Sequence, residues 1–189
     1  LYTCGVVLKF HLKRVLKMLK SLKIFLQKKK MKSIGENVLI DKTVVFSNSN
    51  NISIGNNCYI GHSGSIYGLG GITIENSVII GPRVIIYSSN HNYKNAKSIP
   101  YDKEVIKRPV YIEKGVWIGD SVKIVPGVKI GMGSIIGMGS VVTKDVEPFS
   151  VMGGNPARLI KKRDSEDIEK FMENLKDGKE YIKIKVDLE

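Results

Sequence analysis

Between Ile112 and Val142 the chain repeats every six residues, with Ile112, Ile118, Ile124, Ile130, Ile136 and Val142 heading successive blocks. A period of six matches neither the 3.6-residue turn of an amphipathic helix nor the plain alternation of a half-buried strand. It calls for a unit that turns and restarts at each block, one short strand plus one corner, with the branched side chain pointing inward. A parallel β-helix meets that demand. Glycines at 119, 127, 131, 133, 137 and 139 suit the corners, where the backbone needs angles that glycine adopts cheaply.

The repeat can be followed from Ile34 to Val151. Aliphatic or aromatic residues fall at 34, 40, 46, then 54, 60, 66, then 74, 80, 86, then 112, 118, 124, then 130, 136, 142, then 151. Within each trio the step is six, and between trios it is 8, 8, 26, 6 and 9. Every extra residue therefore enters at the same place. That regularity predicts three strands per turn, about five turns, and insertions that all leave from one edge of a triangular prism. Edges free to grow loops are where function concentrates.

The 26-residue step holds the one long insertion, with its protruding loop at 92–109. It opens with Asn90, His91, Asn92 and Tyr93 and carries Tyr101, Lys107, Arg108, Pro100 and Pro109. A loop this long inside a repeat domain is functional or disordered. His91 stands where the loop leaves the coil, so a rigid scaffold holds its base while the arm can close over it. That is a suitable place for a general base, although a loop histidine read by itself is more often simply solvated.

Composition adds a constraint on partners. Residues 1–33 hold ten Lys or Arg and no acid, so the remaining 20 bases face 18 acids, a net of +2 out of the total +12. A basic N-terminal segment precedes a nearly neutral domain, and the charge argues against a nucleic-acid-binding body. Within that segment Leu12, Val15, Leu16, Leu19, Leu22 and Leu26 share one helical stripe, with lysines around it. This basic amphipathic stretch, residues 8–30, is too charged to span a bilayer and is no secretory signal. Two functions compete for it: peripheral contact with an anionic membrane surface, or capping the open β-helix end or packing on a neighbouring subunit. Cys4 and Cys58 have neither metal nor redox spacing, which fits a reducing compartment.

Further motifs sit at coil spacing: Val116-Trp117-Ile118-Gly119, Val125-Pro126-Gly127-Val128, the run Gly139 to Asp145, and Gly154-Asn155-Pro156-Ala157-Arg158. With Asn90-His91 before the loop, residues 34–163 resemble the hexapeptide-repeat acyltransferases, most closely their sugar O-acetyltransferase branch. The resemblance implies an all-β fold, a left-handed parallel β-helix. It also implies acetyl-CoA as acyl donor, a homotrimer with active sites between subunits, and a catalytic histidine that maps onto His91 beside Asn90. Cofactor contacts are implied at Trp117, Asp120, Met138, Thr143, Lys144, Arg158 and Lys161, where Met138 departs from the small residue common in the family. The chemistry agrees: an imidazole can take the proton of an alcohol as it attacks a thioester, and cationic side chains suit the phosphates.

The acceptor is expected to be a saccharide hydroxyl, met by His62, Ser63, Tyr67 and Tyr93, and the resemblance suggests capsule or lipopolysaccharide decoration in the cytoplasm or at the inner membrane surface. N-acetylation of an amino sugar or nucleotide-sugar, serine or an antibiotic as acceptor, or a non-catalytic assembly subunit, are the alternatives. Ser88 and Ser89 are weaker candidates, as acyl-enzyme nucleophiles. No metal is expected, since a β-helix zinc enzyme needs three histidines and the coil offers only His62 and His91. The Glu113-Lys114 pair reads as a surface change of little consequence. In the C-terminal segment 164–189, Asp164 or Ser165 caps a helix with Ile168, Phe171, Met172 and Leu175 on its apolar side and Gly178 at its stop. That helix would close the coil's end, and 181–188 alternates like a strand.

Overall fold

The computed structural model describes residues 15, 18, 19 and 21–176, with backbone alone for 175 and 176. Residues 1–14, Leu16 of the apolar stripe, Gly178 and the alternating segment 181–188 lie outside them.

Three parallel sheets form the sides of a prism. Face A stacks Ser33–Ile34, Ile52–Ile54, Ile72–Ile74, Val110–Ile112 and Lys129–Ile130. Face B stacks Leu39–Ile40, Tyr59–Ile60, Ile79–Ile80, Trp117–Ile118, Ile135–Ile136 and Ser150–Gly153, and face C stacks Val45–Ser47, Ser65–Tyr67, Ile85–Tyr87, Lys123–Ile124 and Val141–Val142. Pairing follows the six-residue period. Ile34, Ile54, Ile74, Ile112 and Ile130 form one ladder, Ile40, Ile60, Ile80, Ile118 and Ile136 the second, and Phe46, Ile66, Ile86, Ile124 and Val142 the third. From Ile54 onward the isoleucines of these ladders are almost wholly buried. Each such side chain removed from water contributes about 1.5–3 kcal/mol, so stacking one per face per turn supplies the core.

The corners use more than glycine. At the corner between faces A and B, Asn37, Asn57, Ser77, Gly115 and Gly133 all take left-handed φ angles of 53–66°. Asn tolerates that region through local hydrogen bonding, so it shares the position with Gly. Gly131 has a different reason to be glycine: a Cβ there would sit 2.5 Å from the Pro148 nitrogen of the next turn. Side chains also tie corner to corner. Asn56 Oδ1 accepts the Glu36 N–H at 2.8 Å, and Asn76 Oδ1 accepts the Asn56 N–H at 2.8 Å.

Several expectations change. Glu113 is not idle: it accepts the Met132 N–H at 2.8 Å and pairs with Lys129 at 2.8 Å, and Lys129 holds its carboxyl below the usual range. Val151 does not begin the next strand of face A. Val146 bridges Ile130 there, and Val151 pairs with Ile135 on face B, because the last turn is shorter than those before it. The C-terminal helix α2 (Ser165–Lys176) lies along the corner between faces A and B, where Phe171 meets Gly115 and Gly133, rather than across the end. Its Phe171 is buried edge-on to Phe149, with ring centroids 5.3 Å apart, in a gap kept open by Gly115 and Gly133. An antiparallel hairpin of Ser150–Gly153 with Arg158–Lys162 finishes the coil instead.

At the other end, helix α1, described at residues 15, 18, 19 and 21–29, docks on the first turn through buried Ile24 and the adjacent Met31. Gln27 Nε2 donates to the Phe46 carbonyl at 3.2 Å and Lys28 Nζ to the Val38 carbonyl at 3.0 Å, where burial pushes the Lys28 pKa down. The stripe marked by leucine spacing is not the docked side: Val15, Leu19, Leu22 and Leu26 are exposed. Among the described residues no helix is long and apolar enough to cross a membrane.

Candidate active site

The excursion leaves the corner between faces C and A at Ser88. This residue is wholly buried, and its Oγ donates to the Tyr67 carbonyl at 2.8 Å while accepting the Gly70 N–H at 2.9 Å. A hydroxyl spent this way is a staple, which removes Ser88 as an acyl carrier. Cys58 is also buried, its thiol is pushed up by burial, and its Sγ–H is directed to the Glu75 carbonyl at 3.1 Å. Beyond Ser88, Ser89–His91 pairs antiparallel with Val105–Lys107, and the Arg108 N–H closes the base on the Ser88 carbonyl at 2.8 Å. The arm is therefore a pinned ribbon rather than an unstructured loop.

The ribbon's tip is organised by Asp102. Its carboxylate accepts the Lys97 N–H at 3.1 Å, the Glu104 N–H at 2.9 Å and the Asn92 amide at 3.0 Å. The backbone donors, Lys97 first, hold that carboxyl below its ordinary range. With Asp102 fixed, neighbouring Tyr101 lies flat on His91, ring centroids 3.9 Å apart and planes 19° from parallel. Asn90 Oδ1 accepts the His91 N–H at 2.9 Å and sets the backbone at the same point. Among the described residues nothing hydrogen-bonds the imidazole nitrogens, so stacking alone orients the exposed ring.

His91 and Asn90 stand in the walls of two grooves. One, of about 770 Å³, runs under the ribbon along face C and is lined by Leu69, Ile85, Tyr87, Lys123 and Val141. The other, of about 440 Å³, is the more polar of the two, with Asn92, Tyr93, Lys94, Arg108 and Thr143 in its wall beside Ile106, Val125 and Pro126. Tyr87 stacks on Tyr67 with centroids 4.4 Å apart, and partial burial together with Tyr67 pushes its phenol pKa up. An imidazole in the wall of two adjoining grooves can move a proton between molecules held in each.

Of the residues singled out in the sequence, the fold gathers Asn90, His91, Tyr93 and Thr143 at these grooves, with Tyr67 one ring away and exposed Lys144 beside Thr143. The others stand elsewhere on the single chain. His62, Ser63, Asp120 and Met138 occupy the corner between faces B and C, where Arg83 and Ser121 engage the Asp120 carboxylate. Trp117 points out of face B, 53% exposed, into a separate groove of about 470 Å³ against α2. Arg158 and Lys161 lie on the final strand, Lys161 paired with Asp164 at 3.2 Å. Sequence reasoning gave no role to Tyr87, Lys123 or Tyr101. A signal existed for the first: Tyr67 and Tyr87 hold the same place in successive turns.

Residues 109–144 match the family described as bacterial transferase hexapeptide (six repeats), and residues 51–88 match the hexapeptide repeat of succinyl-transferase. The two matches flank the excursion. The chain is 35% identical to a galactoside O-acetyltransferase of Escherichia coli strain K12, covering 76% of this chain and 70% of the relative. It is also 35% identical to a dTDP-4-amino-4,6-dideoxy-D-glucose acyltransferase of Escherichia coli, over 70% of this chain and 82% of the relative. Among solved structures, a hexapeptide-repeat acetyltransferase of Vibrio cholerae complexed with acetyl-CoA superposes with a TM-score of 0.67 at 31% identity, covering 76% of this chain and 78% of that one. The winding is accordingly that of the left-handed β-helix.

Proposed function

Because the chain belongs to the hexapeptide-repeat acyltransferases, we propose that it transfers an acetyl group from acetyl-CoA to a saccharide hydroxyl, with His91 as general base. The observation that carries this reading is the place of His91, at the foot of a pinned ribbon and in the walls of two grooves, one along face C and one more polar and cationic. The long apolar groove along face C, with Lys123 in its wall, fits a thin amide-bearing arm with a charged end. The more polar groove fits a hydroxyl-rich acceptor through Asn92, Tyr93 and Arg108, with Thr143 at its edge for the donor.

When bound, the donor supplies an activated acyl carbon as a thioester. His91 accepts the acceptor's O–H proton as its oxygen attacks that carbon, a contribution of about 10²–10⁴ in rate. A backbone N–H of the coil donates to the carbonyl oxygen as it gains charge. The C–S bond then breaks, His91 returns the proton to the sulfur, and an acetyl ester and free CoA leave. Asn90 holds the backbone from which the imidazole projects.

In a homotrimer the edge carrying His62, Ser63, Asp120 and Met138 meets a neighbour's ribbon, which brings the remaining expected contacts to one groove. Trp117, Lys144, Arg158 and Lys161 then serve the donor's adenine and phosphates, and Tyr67 the acceptor. We place the reaction in the cytoplasm, in capsule or lipopolysaccharide decoration. The equal similarity to a dTDP-amino-sugar acyltransferase supports a second reading, N-acylation, in which an amine replaces the hydroxyl at the same base.

Thiol release from acetyl-CoA with sugars, lipid-linked glycans and dTDP-amino sugars separates these readings. We expect turnover with a hydroxyl acceptor, and a loss of about 10²–10⁴ in kcat/KM for His91→Ala with CoA still bound. Turnover with amino sugars alone would establish the second reading, and turnover that survives His91→Ala would remove the general base from both.

A further inference from the structure

We propose that the exposed face of α1 docks on an anionic phospholipid surface. Six large apolar side chains stand out from this segment: Val15 47% exposed, Met18 66%, Leu19 55%, Leu22 52%, Phe25 53% and Leu26 48%. They are not the side that the coil takes. Ile24, the buried residue, is two positions from both Leu22 and Leu26, which puts it roughly 200° round the helix at 3.6 residues per turn. With Gln27 and Lys28 tied to carbonyls of Phe46 and Val38, the helix is fixed to the first turn by one side and presents the other outward. A contiguous apolar row of this kind on a soluble surface marks an interaction site.

Charge identifies the occupant. Residues 1–33 hold ten Lys or Arg and no Asp or Glu, whereas the rest of the chain is close to neutral. Lys23, Lys29, Lys30 and Lys32 are exposed, and Lys29 Nζ sits 4.7 Å over the Phe25 ring, where the apolar row meets the cationic border. A leucine-rich face edged by lysines lies at a bilayer interface with its apolar side in the acyl boundary and its ammonium groups among headgroup phosphates. The negative potential of an anionic leaflet adds attraction for each lysine near it. A second copy of this chain would bring a segment of the same sign against the first, which repels rather than attracts.

The test is co-sedimentation of the full chain with phosphatidylglycerol–phosphatidylcholine vesicles and with pure phosphatidylcholine vesicles, beside Leu22→Glu/Leu26→Glu. Native protein should partition to the anionic vesicles with at least about tenfold preference, weaken as salt rises, and lose binding by about tenfold in the variant. Thiol release with a soluble acceptor should be unchanged in that variant, because neither residue is near His91; this also shows that it folds. Equal binding to neutral vesicles, no binding, or unaltered binding by the variant would each overturn the proposal. So would a native oligomer that the double substitution dissociates without any vesicle binding, since the face would then belong to another copy.

Discussion

In the turn that runs from Val110 to Ile124 order comes from apolar side chains: Val110, Ile112, Val116, Ile118, Val122 and Ile124 are all at most 1% exposed. In the excursion that precedes it, order comes from polar anchors. Ser88 staples the foot, Asn90 and Asn92 hold the rising strand, and Asp102 gathers the tip. The coil would survive loss of any one of those polar bonds, while the ribbon has almost no buried apolar side chain to fall back on. Stability and the proposed chemistry thereby fall to adjacent stretches of chain that are held by different kinds of contact.

Substitutions can push that separation until it breaks. The largest stability effect is expected from Ile118→Ala, which leaves a cavity between Ile80 and Ile136 and should cost about 2–5 kcal/mol in urea denaturation, while refolded material keeps its kcat. If kcat falls in step with stability, coil and ribbon are one cooperative unit. A smaller effect, and on activity alone, is expected for Tyr101→Ala. Loss of a ring stack worth about 0.5–1.5 kcal/mol should lower kcat roughly three- to tenfold with Tm unmoved, and Tyr101→Phe should restore it. Should Phe fail where Tyr works, the phenol oxygen and not the stack is what matters.

The smallest effect is a pH dependence confined to the tip. Asp102 titrates below its ordinary value of 3.8, so its contribution to the folded tip is complete above that value. It is lost as pH falls from 3.8 through the depressed folded-state pKa. The protection factors of the Lys97 and Glu104 amides, taken against the intrinsic exchange rate at each pH, should therefore fall on acidification while the coil amides keep theirs, and Asp102→Asn should flatten the response.

The ladders were legible because a period of six leaves little freedom: once Ile118 is an inward residue, Ile112 and Ile124 must be as well. The finish of the coil was less so. Ile112 to Ile130 spans 18 residues and Ile130 to Val146 spans 16, and a turn that shortens beside Pro148 carries no mark in an aliphatic spacing count. The ribbon was hidden for another reason. Ser89, Asn90 and His91 are paired by backbone bonds alone, and a strand with no apolar face has no pattern to read. The foot of the loop and its histidine could be found from position, but the stacking of Tyr101 on His91 depends on how the chain folds back through Asp102. Of the two helices, α2 buried an expected residue, Phe171, while α1 buried Ile24, because lysine stems and a carbonyl-bound amide can also make the docking side.

Ile74 pairs directly with Ile112, although 38 positions separate them where other turns of the same face close over 18 or 20. Roughly doubling a closed length costs only about 0.6 kcal/mol in chain entropy. On that edge, then, lengthening or exchanging the arm is nearly free of folding consequence. A lineage could change which acceptor it modifies by trading one arm for another, and the prism beneath would carry no record of the change.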